Sequence, residues 1–83
     1  MTRTINKTVT VTAVYFRNRG GLKTFPKRIE VDDEVYTFEE SGLQYLIKKG
    51  QQIVRLLDMT DGAARFRLKS EDENSWTLVS ITH

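Results

Sequence analysis

Basic and aromatic residues are interleaved in the first third of this 83-residue chain, and this is its clearest chemical pattern. Arginine and lysine side chains neutralise phosphates, and an exposed aromatic ring can stack on a nucleobase. Phe16 falls outside the apolar alternation of its neighbours, so we expect its ring to be exposed. The pattern therefore predicts a candidate site for RNA or single-stranded nucleic acid, formed by Phe16, Arg17, Arg19, Lys23, Lys27 and Arg28.

The net charge of +2 hides a division of charge along the chain. Residues 1–28 hold seven of the 13 basic residues and none of the 11 acidic residues. Such segregation can mark a surface for phosphates or for an acidic partner. Alternatively, the basic and acidic segments lie side by side in one compact domain and neutralise each other. We favour this alternative, because surface charges are mostly solvated and weakly coupled.

Catalytic and metal-binding chemistry has little support in the residue types present. The chain has no cysteine, and its one histidine, His83, is the last residue, so Ser–His, Cys–His and metal–His arrangements lack a partner. The acidic runs at 32–34, 39–40 and 71–73 do not have the spacing of a calcium-binding loop, and we expect them to be solvated loop tips. We therefore expect a non-enzymatic protein with no catalytic residue, no cofactor and no metal site.

The elements that position these residues are mostly β-strands. Alternating apolar residues with many β-branched side chains predict a long first strand over residues 4–17. Turn signals separate the other strands, which are predicted over residues 28–31, 35–38, 52–59, 63–69 and 76–82.

One of these turns also predicts a strand register. The Asp61-Gly62 pair is among the strongest hairpin signals. As a two-residue loop, it predicts that Asp58 lies directly opposite Arg65. Because side chains alternate along a strand, this pair would form an ion pair on the solvent side of the sheet.

Residues 41–49 are predicted to form one short helix. Ser41 and Gln44 fit a capping box, and an apolar stripe with helical spacing follows. Two lysines suit the negative end of the helix dipole, and Gly50 suits the left-handed position that follows a helix. A helix of about two turns does not persist alone, so we expect it to pack on the sheet.

Together these elements predict a mainly β, β-rich α+β fold. We expect residues 1–83 to form a single domain, an SH3-like barrel or β-roll of five or six strands with the short helix between strands three and four. No apolar run approaches the roughly 20 residues of a membrane helix, and the N-terminus lacks the apolar stretch of a signal peptide. These features predict a cytoplasmic protein.

Two hypotheses of function follow, both of a binding module. In the first, an exposed sheet edge, or a groove formed by Tyr45 and Trp76, binds an extended protein segment or a second copy of the chain. The long first strand is the expected edge, although a single tryptophan in a small domain more often anchors the core. In the second, the basic first third binds RNA or single-stranded nucleic acid.

Several short segments resemble a small bacterial protein family of unknown function, which is represented in candidate-phylum bacteria (Saccharibacteria). The resemblance covers most of the chain from Val14 onward. It lies in strands and turns, so it implies a β-rich fold but no activity, ligand or functional residue. The segments are Tyr15-Phe16-Arg17, Pro26-Lys27-Arg28-Ile29, Tyr36-Thr37-Phe38, Glu40-Ser41-Gly42-Leu43, Lys49-Gly50-Gln51, Asp58-Met59-Thr60-Asp61-Gly62 and Trp76-Thr77-Leu78.

Overall fold

The computed structural model describes residues 1–18, 22–39, 42–70 and 75–83, which hold seven β-strands and no α-helix. The strands are β1 (Thr2–Asn18), β2 (Leu22–Val31), β3 (Glu34–Thr37), β4 (Gly42–Lys49), β5 (Gln52–Thr60), β6 (Arg65–Ser70) and β7 (Trp76–Thr82). They form one antiparallel sheet in the order β3-β2-β1-β7-β6-β5-β4. The mainly β prediction is confirmed, and its count of five or six strands is too low. An SH3-like barrel stays a prediction.

The long first strand lies inside the sheet. Residues 2–9 of β1 pair with β7, whereas residues 10–18 pair with β2. A bulge near Asn6, whose φ of 53° is left-handed, divides the pairing with β7; asparagine tolerates this conformation better than most residues. Contrary to the expectation, β1 is therefore not a terminal strand of the sheet, although each of its halves has a paired neighbour on one side only.

The helix predicted over residues 41–49 is wrong, since residues 42–49 form β4. This strand pairs with β5 from Gly42 opposite Met59 to Lys49 opposite Gln52, without a register shift. A helix of two turns is marginal in isolation, and β5 supplies backbone partners along the whole segment. Gly50 has the predicted left-handed φ of 64°, but it lies in the tight turn between β4 and β5. Ser41, the predicted helix cap, lies outside the described residues.

The register predicted between β5 and β6 is wrong by two residues. Asp58 lies opposite Arg67 instead of Arg65, because the loop spans four residues, 61–64. The Asp61 Oδ1 atom accepts hydrogen bonds from the backbone N–H groups of Ala63 and Ala64, each at 2.9 Å, and these bonds order the longer loop. A shift of two leaves every side chain on its predicted face, so the predicted core face is unchanged.

The turn predicted between residues 31 and 35 is confirmed as the β2–β3 hairpin, but its loop has two residues, Asp32 and Asp33, because Glu34 already pairs with Val31. Asp32 and Asp33 have φ values of 50° and 63°, as a type I′ turn requires. The Lys7 ammonium donates a hydrogen bond to the Asp32 carboxylate. This contact joins the basic first segment to the acidic remainder, as the neutralisation hypothesis predicts.

The sheet curls so that its β3 end packs over β5 and β6. The Phe66 ring lies 4.9 Å from the Tyr36 ring and 5.0 Å from the Phe38 ring, between centroids. The Glu39 N–H donates a 2.7 Å hydrogen bond to the Thr60 carbonyl oxygen, which ties the chain after β3 to the end of β5. The enclosed core consists of Val9, Phe25, Ile29, Val31, Phe38, Leu57, Met59, Ala64, Phe66, Leu68, Trp76, Leu78 and Ile81.

No helix in the described ranges is long and apolar enough to cross a membrane.

Candidate functional site: an apolar edge strand

Exposed apolar side chains are concentrated on the β4–β5 hairpin. Five of the nine large hydrophobic residues that are exposed in the described part of the chain lie there, and their exposed fractions run from 43% to 65%. Single exposed apolar residues are normal, but a cluster on one element marks an interaction surface. We call this cluster the β4 surface: Leu43, Tyr45, Leu46, Ile47 and Ile53.

The β4 surface covers both faces of the hairpin. Leu43, Tyr45 and Ile47 alternate onto the outer face, which points away from the core. Leu46 and Ile53 lie on the inner face, but the hairpin extends past the core and leaves them exposed. The distal part of the hairpin is therefore apolar on both faces, as expected for a strand whose two faces are both covered in a complex.

The backbone edge of β4 is also open in the structure. Among the described strands, β4 has β5 as its one neighbour, and its ladder carries neither a proline nor a bulge. Such an edge presents unpaired N–H and C=O groups to any extended segment. The opposite edge of the sheet is β3. This strand is less able to pair with another chain, because it has only four residues and the acidic turn of Asp32 and Asp33 lies beside it.

Charge is distributed unevenly along β4. The sequence places Glu39 and Glu40 before the strand and Lys48 and Lys49 at its end. Lysines on an edge strand discourage pairing, but here they occupy only its last two positions. The apolar segment 43–47 remains without a charged side chain, so these lysines limit the register of a partner strand more than they block its binding.

A shallow depression of about 420 Å³ lies on the outer face where β4 begins. Leu43 and Tyr45 form its apolar wall, and Asp58, Arg65 and Arg67 line its other side. The guanidinium of Arg67 donates two hydrogen bonds to Asp58, at 2.8 and 3.0 Å, and this pairing raises the pKa of Arg67. The charges of Asp58 and Arg67 neutralise each other, so Arg65 supplies the net charge of the lining, opposite its apolar wall.

The groove predicted between Tyr45 and Trp76 is not formed. Tyr45 lies in a cross-strand row with Leu56, Lys69 and Thr77, whereas Trp76 points to the other face. Trp76 is 9% exposed within the core, and the Arg55 guanidinium carbon lies 5.3 Å from the centre of its ring. Tyr45 belongs to the β4 surface and Trp76 is a core anchor.

The basic residues predicted to bind nucleic acid are only partly brought together. Phe16 is 67% exposed, so its predicted exposure is confirmed. The Arg28 Nε atom donates a 2.9 Å hydrogen bond to Thr12 Oγ1. Thr12 and Phe16 are both even-numbered positions of β1, so Arg28 lies on the same face of the sheet as Phe16. Lys27 instead lies over the ring of Tyr15, 5.4 Å from its centre, on the other face.

For Arg17 and Lys23, the backbone alone bears on the prediction. Arg17 lies directly opposite Lys23 in the β1–β2 register. Arg19 is outside the described residues, as is the acidic run at 71–73.

Within the described ranges, no group of three or more acidic, histidine or cysteine residues could hold a metal ion. The His83 N–H donates to the Met1 carbonyl oxygen at 3.0 Å, and the Met1 amino group donates to the His83 carbonyl oxygen at 3.1 Å. The backbone of His83 is therefore paired, although its side chain stands at the exposed end of the β1–β7 ladder.

Comparison of the chain with protein-family models, with curated proteins and with solved structures gives no match. The candidate site therefore rests on its own geometry. A period-two signal for it was present in the sequence, since Leu43, Tyr45 and Ile47 alternate, but the helical spacing of the same segment obscured it.

Proposed function

We propose that this chain is a non-enzymatic protein-interaction module that binds an extended protein segment along β4. The observation that carries the proposal is an open, unbulged edge strand with exposed apolar side chains on both faces, the β4 surface. The proposal keeps the expectation of a cytoplasmic protein that needs no cofactor.

Binding would add a strand to the sheet. Backbone N–H and C=O groups of β4 pair with those of the incoming segment, and alternate side chains of that segment lie against Leu43, Tyr45 and Ile47. A backbone hydrogen bond contributes only about 0.5–1.5 kcal/mol net, because it replaces hydrogen bonds to water. Burial of a large apolar side chain contributes about 1.5–3 kcal/mol, so the β4 surface supplies much of the affinity.

The proposal is tested by titrating the ¹⁵N-labelled chain with a peptide of alternating valine and threonine and recording amide chemical shifts. We expect shifts along residues 43–49 and in the adjoining positions of β5, and none along β3. Tyr45→Thr should weaken binding, whereas Val35→Thr, which changes an exposed residue of β3, should not. Absence of shifts in β4 at millimolar peptide would refute the proposal.

A second candidate function is binding of single-stranded RNA or DNA by the β1–β2 hairpin. It is favoured by the 67% exposure of Phe16 and by the position of Arg17 opposite Lys23. Basic residues neutralise phosphates, and an exposed aromatic ring can stack on a nucleobase. A labelled oligonucleotide that does not bind at low salt would exclude this function.

A further inference from the structure

We propose that the segment bound along β4 is β4 of a second copy of this chain, antiparallel to the first, with a two-fold axis at Tyr45. This inference rests on the proposed function and names its partner. Closed two-fold dimers are the commonest symmetric assemblies, and their interface must be complementary to itself. The sequence of β4 meets that condition in one register better than in the others.

Symmetry first limits the possible registers. A two-fold axis perpendicular to the sheet carries the outer face of one copy onto the outer face of the other. Opposite residues must therefore share a face, so both are odd-numbered or both even-numbered in β4. Within residues 43–47, axes at Tyr45 and Leu46 pair seven of the eight residues of β4, whereas axes at Gln44 and Ile47 pair five. The Gln44 axis also leaves Ile47 without an opposite residue in β4.

The apolar side chains favour the axis at Tyr45. In that register Leu43 lies opposite Ile47 of the second copy, and the two Tyr45 rings lie opposite each other. All three outer residues of the β4 surface then gain an apolar neighbour, and such cross-strand pairs contribute roughly 0.2–1 kcal/mol each. On the inner face, Gln44 lies opposite Leu46, whose side chain is exposed in a single copy.

The axes at Leu46 and Ile47 place lysines against apolar residues. An axis at Leu46 sets Leu43 opposite Lys49, and an axis at Ile47 sets Tyr45 opposite Lys49. Both leave part of the outer apolar row unpaired. The Tyr45 axis instead sets Lys48 opposite Gly42, which has no side chain to oppose it.

The charges around β4 favour an antiparallel partner. Two acidic residues precede the strand in sequence and two lysines end it. The Glu39 N–H donates to the Thr60 carbonyl oxygen beside the start of β4. Antiparallel pairing therefore brings the lysine end of each copy towards Glu39 of the other, whereas parallel pairing brings like charges together. Opposite charges across strands stabilise a pair and like charges destabilise it. This distribution favours a second copy, since the same strand carries both complementary ends.

The register is tested by disulfide cross-linking, because the chain contains no cysteine. Cross-strand Cα atoms lie about 4.5–5.5 Å apart, within the range of about 4.4–6.8 Å that a disulfide spans. Only the residue on the axis faces its own copy. We expect Tyr45→Cys to cross-link under mild oxidation on the order of tenfold faster than Leu46→Cys or Ile47→Cys.

A mixture of two variants tests the same register with Tyr45 intact. Leu43→Cys mixed with Ile47→Cys should give heterodimers in preference to either homodimer. Val35→Cys, on the β3 edge, is the control and should remain uncross-linked. Fastest cross-linking of Leu46→Cys or Ile47→Cys alone would overturn the register that we propose.

Sedimentation equilibrium of the unmodified chain tests the dimer itself. We expect dimers at high concentration, and Tyr45→Lys should weaken them on the order of 100-fold, because it sets two lysines against each other on the axis and removes the central apolar pair. Tyr45→Thr should weaken them less, and circular dichroism should show that both variants remain folded. A monomer at every concentration would overturn the dimer, while the peptide titration would still decide whether β4 binds a strand at all.

Discussion

Gly42 stands directly against Met59, so close that a β carbon on Gly42 would lie 2.5 Å from the Met59 sulfur and 3.0 Å from the Asp58 carbonyl oxygen. These two residues form the first cross-strand pair of β4 and β5, and Met59 is 2% exposed. Because Gly42 has no side chain, β4 can begin in direct contact with the core.

We predict that Gly42→Ala destabilises the fold. The Met59 side chain is flexible but enclosed, and the Asp58 oxygen belongs to the backbone of β5, so the added carbon strains the core by about 1–3 kcal/mol. Urea denaturation measures this loss. Gly50→Asn is the matched control, because nothing lies within 4 Å of a β carbon there and asparagine tolerates its φ of 64°. Equal midpoints for Gly42→Ala and the unmodified chain would contradict the prediction.

A second prediction concerns the ion pair between Asp58 and Arg67. Its two hydrogen bonds, at 2.8 and 3.0 Å, suit the planar fork of arginine. About half of the Arg67 side chain is exposed, so solvent screens the pair and Asp58→Ala should cost only about 0.5–1 kcal/mol. Arg67→Lys should lose part of this stabilisation, because lysine lacks the planar fork. Asp61→Ala removes a nearby carboxylate and leaves the Asp58–Arg67 pair in place. The cost of Asp58→Ala should shrink in 1 M salt; a cost that salt leaves unchanged would show that charge is not its cause.

The segment that the sequence misassigned is also the candidate site, and the two facts have one cause. Leu43, Leu46 and Ile47 fit a helical stripe, whereas Leu43, Tyr45 and Ile47 fit a strand. Local spacing cannot choose between them, because the choice depends on the backbone partners that β5 provides. The helix interpretation also assumes a buried stripe, and in the structure Leu46 is exposed.

Strand faces and the positions of turns were predictable because they depend on neighbouring residues, whereas the length of the loop after Thr60 was not. The turn after residue 31 and the exposed Phe16 follow from local chemistry and alternation. Which strand lies at a sheet edge depends instead on the order of all strands. The sequence could not show that β2 and β7 flank β1 and leave β4 open.

The Asp61 carboxylate makes the stability of the β5–β6 loop depend on pH. Hydrogen bonds from the backbone N–H groups of Ala63 and Ala64 hold the pKa of Asp61 below its ordinary value of 3.8. A lowered folded pKa means that this stabilisation is present above about pH 4 and is lost as the pH falls through the folded pKa. We expect Asp61→Asn to be less stable than the unmodified chain at pH 6.

The two proteins should approach equal stability as the pH falls through and below the lowered pKa of Asp61, because asparagine keeps the hydrogen-bond geometry without the charge. Thermal unfolding from pH 2 to pH 6 measures the difference, and other carboxyl groups cancel because both proteins contain them. A difference that stays constant over this range would contradict the assignment.

Phe66 is the core residue on which we expect the curled sheet to depend most. Its ring packs against Tyr36 and Phe38, which join β3 to β6, and it is 1% exposed. Phe66→Ala should cost about 3–5 kcal/mol, from lost burial and the cavity that remains. Phe66→Leu should cost less, and Phe16→Leu is the matched control, since exposed substitutions usually stay within about 0.5 kcal/mol. Similar urea midpoints for the two leucine variants would contradict this description of the core.

The last prediction separates the two candidate functions. If the β1–β2 hairpin binds a single strand, Phe16→Ala removes a stacking platform worth about 1–3 kcal/mol per base. Fluorescence anisotropy with a labelled oligouridine then shows weaker binding, and log affinity falls with log salt by about 0.7 per phosphate contact. Arg28→Ala lowers that slope, because Arg28 lies on the side of Phe16.

Lys27→Ala provides the matched control, because Lys27 packs over Tyr15 on the other face. It should leave both the affinity and the salt slope nearly unchanged. If Lys27→Ala and Arg28→Ala lower the slope equally, the binding is diffuse attraction to a basic segment and not recognition on one face. If no oligonucleotide binds at low salt, the basic first third serves to pair with acidic residues such as Asp32, and β4 remains the interaction site.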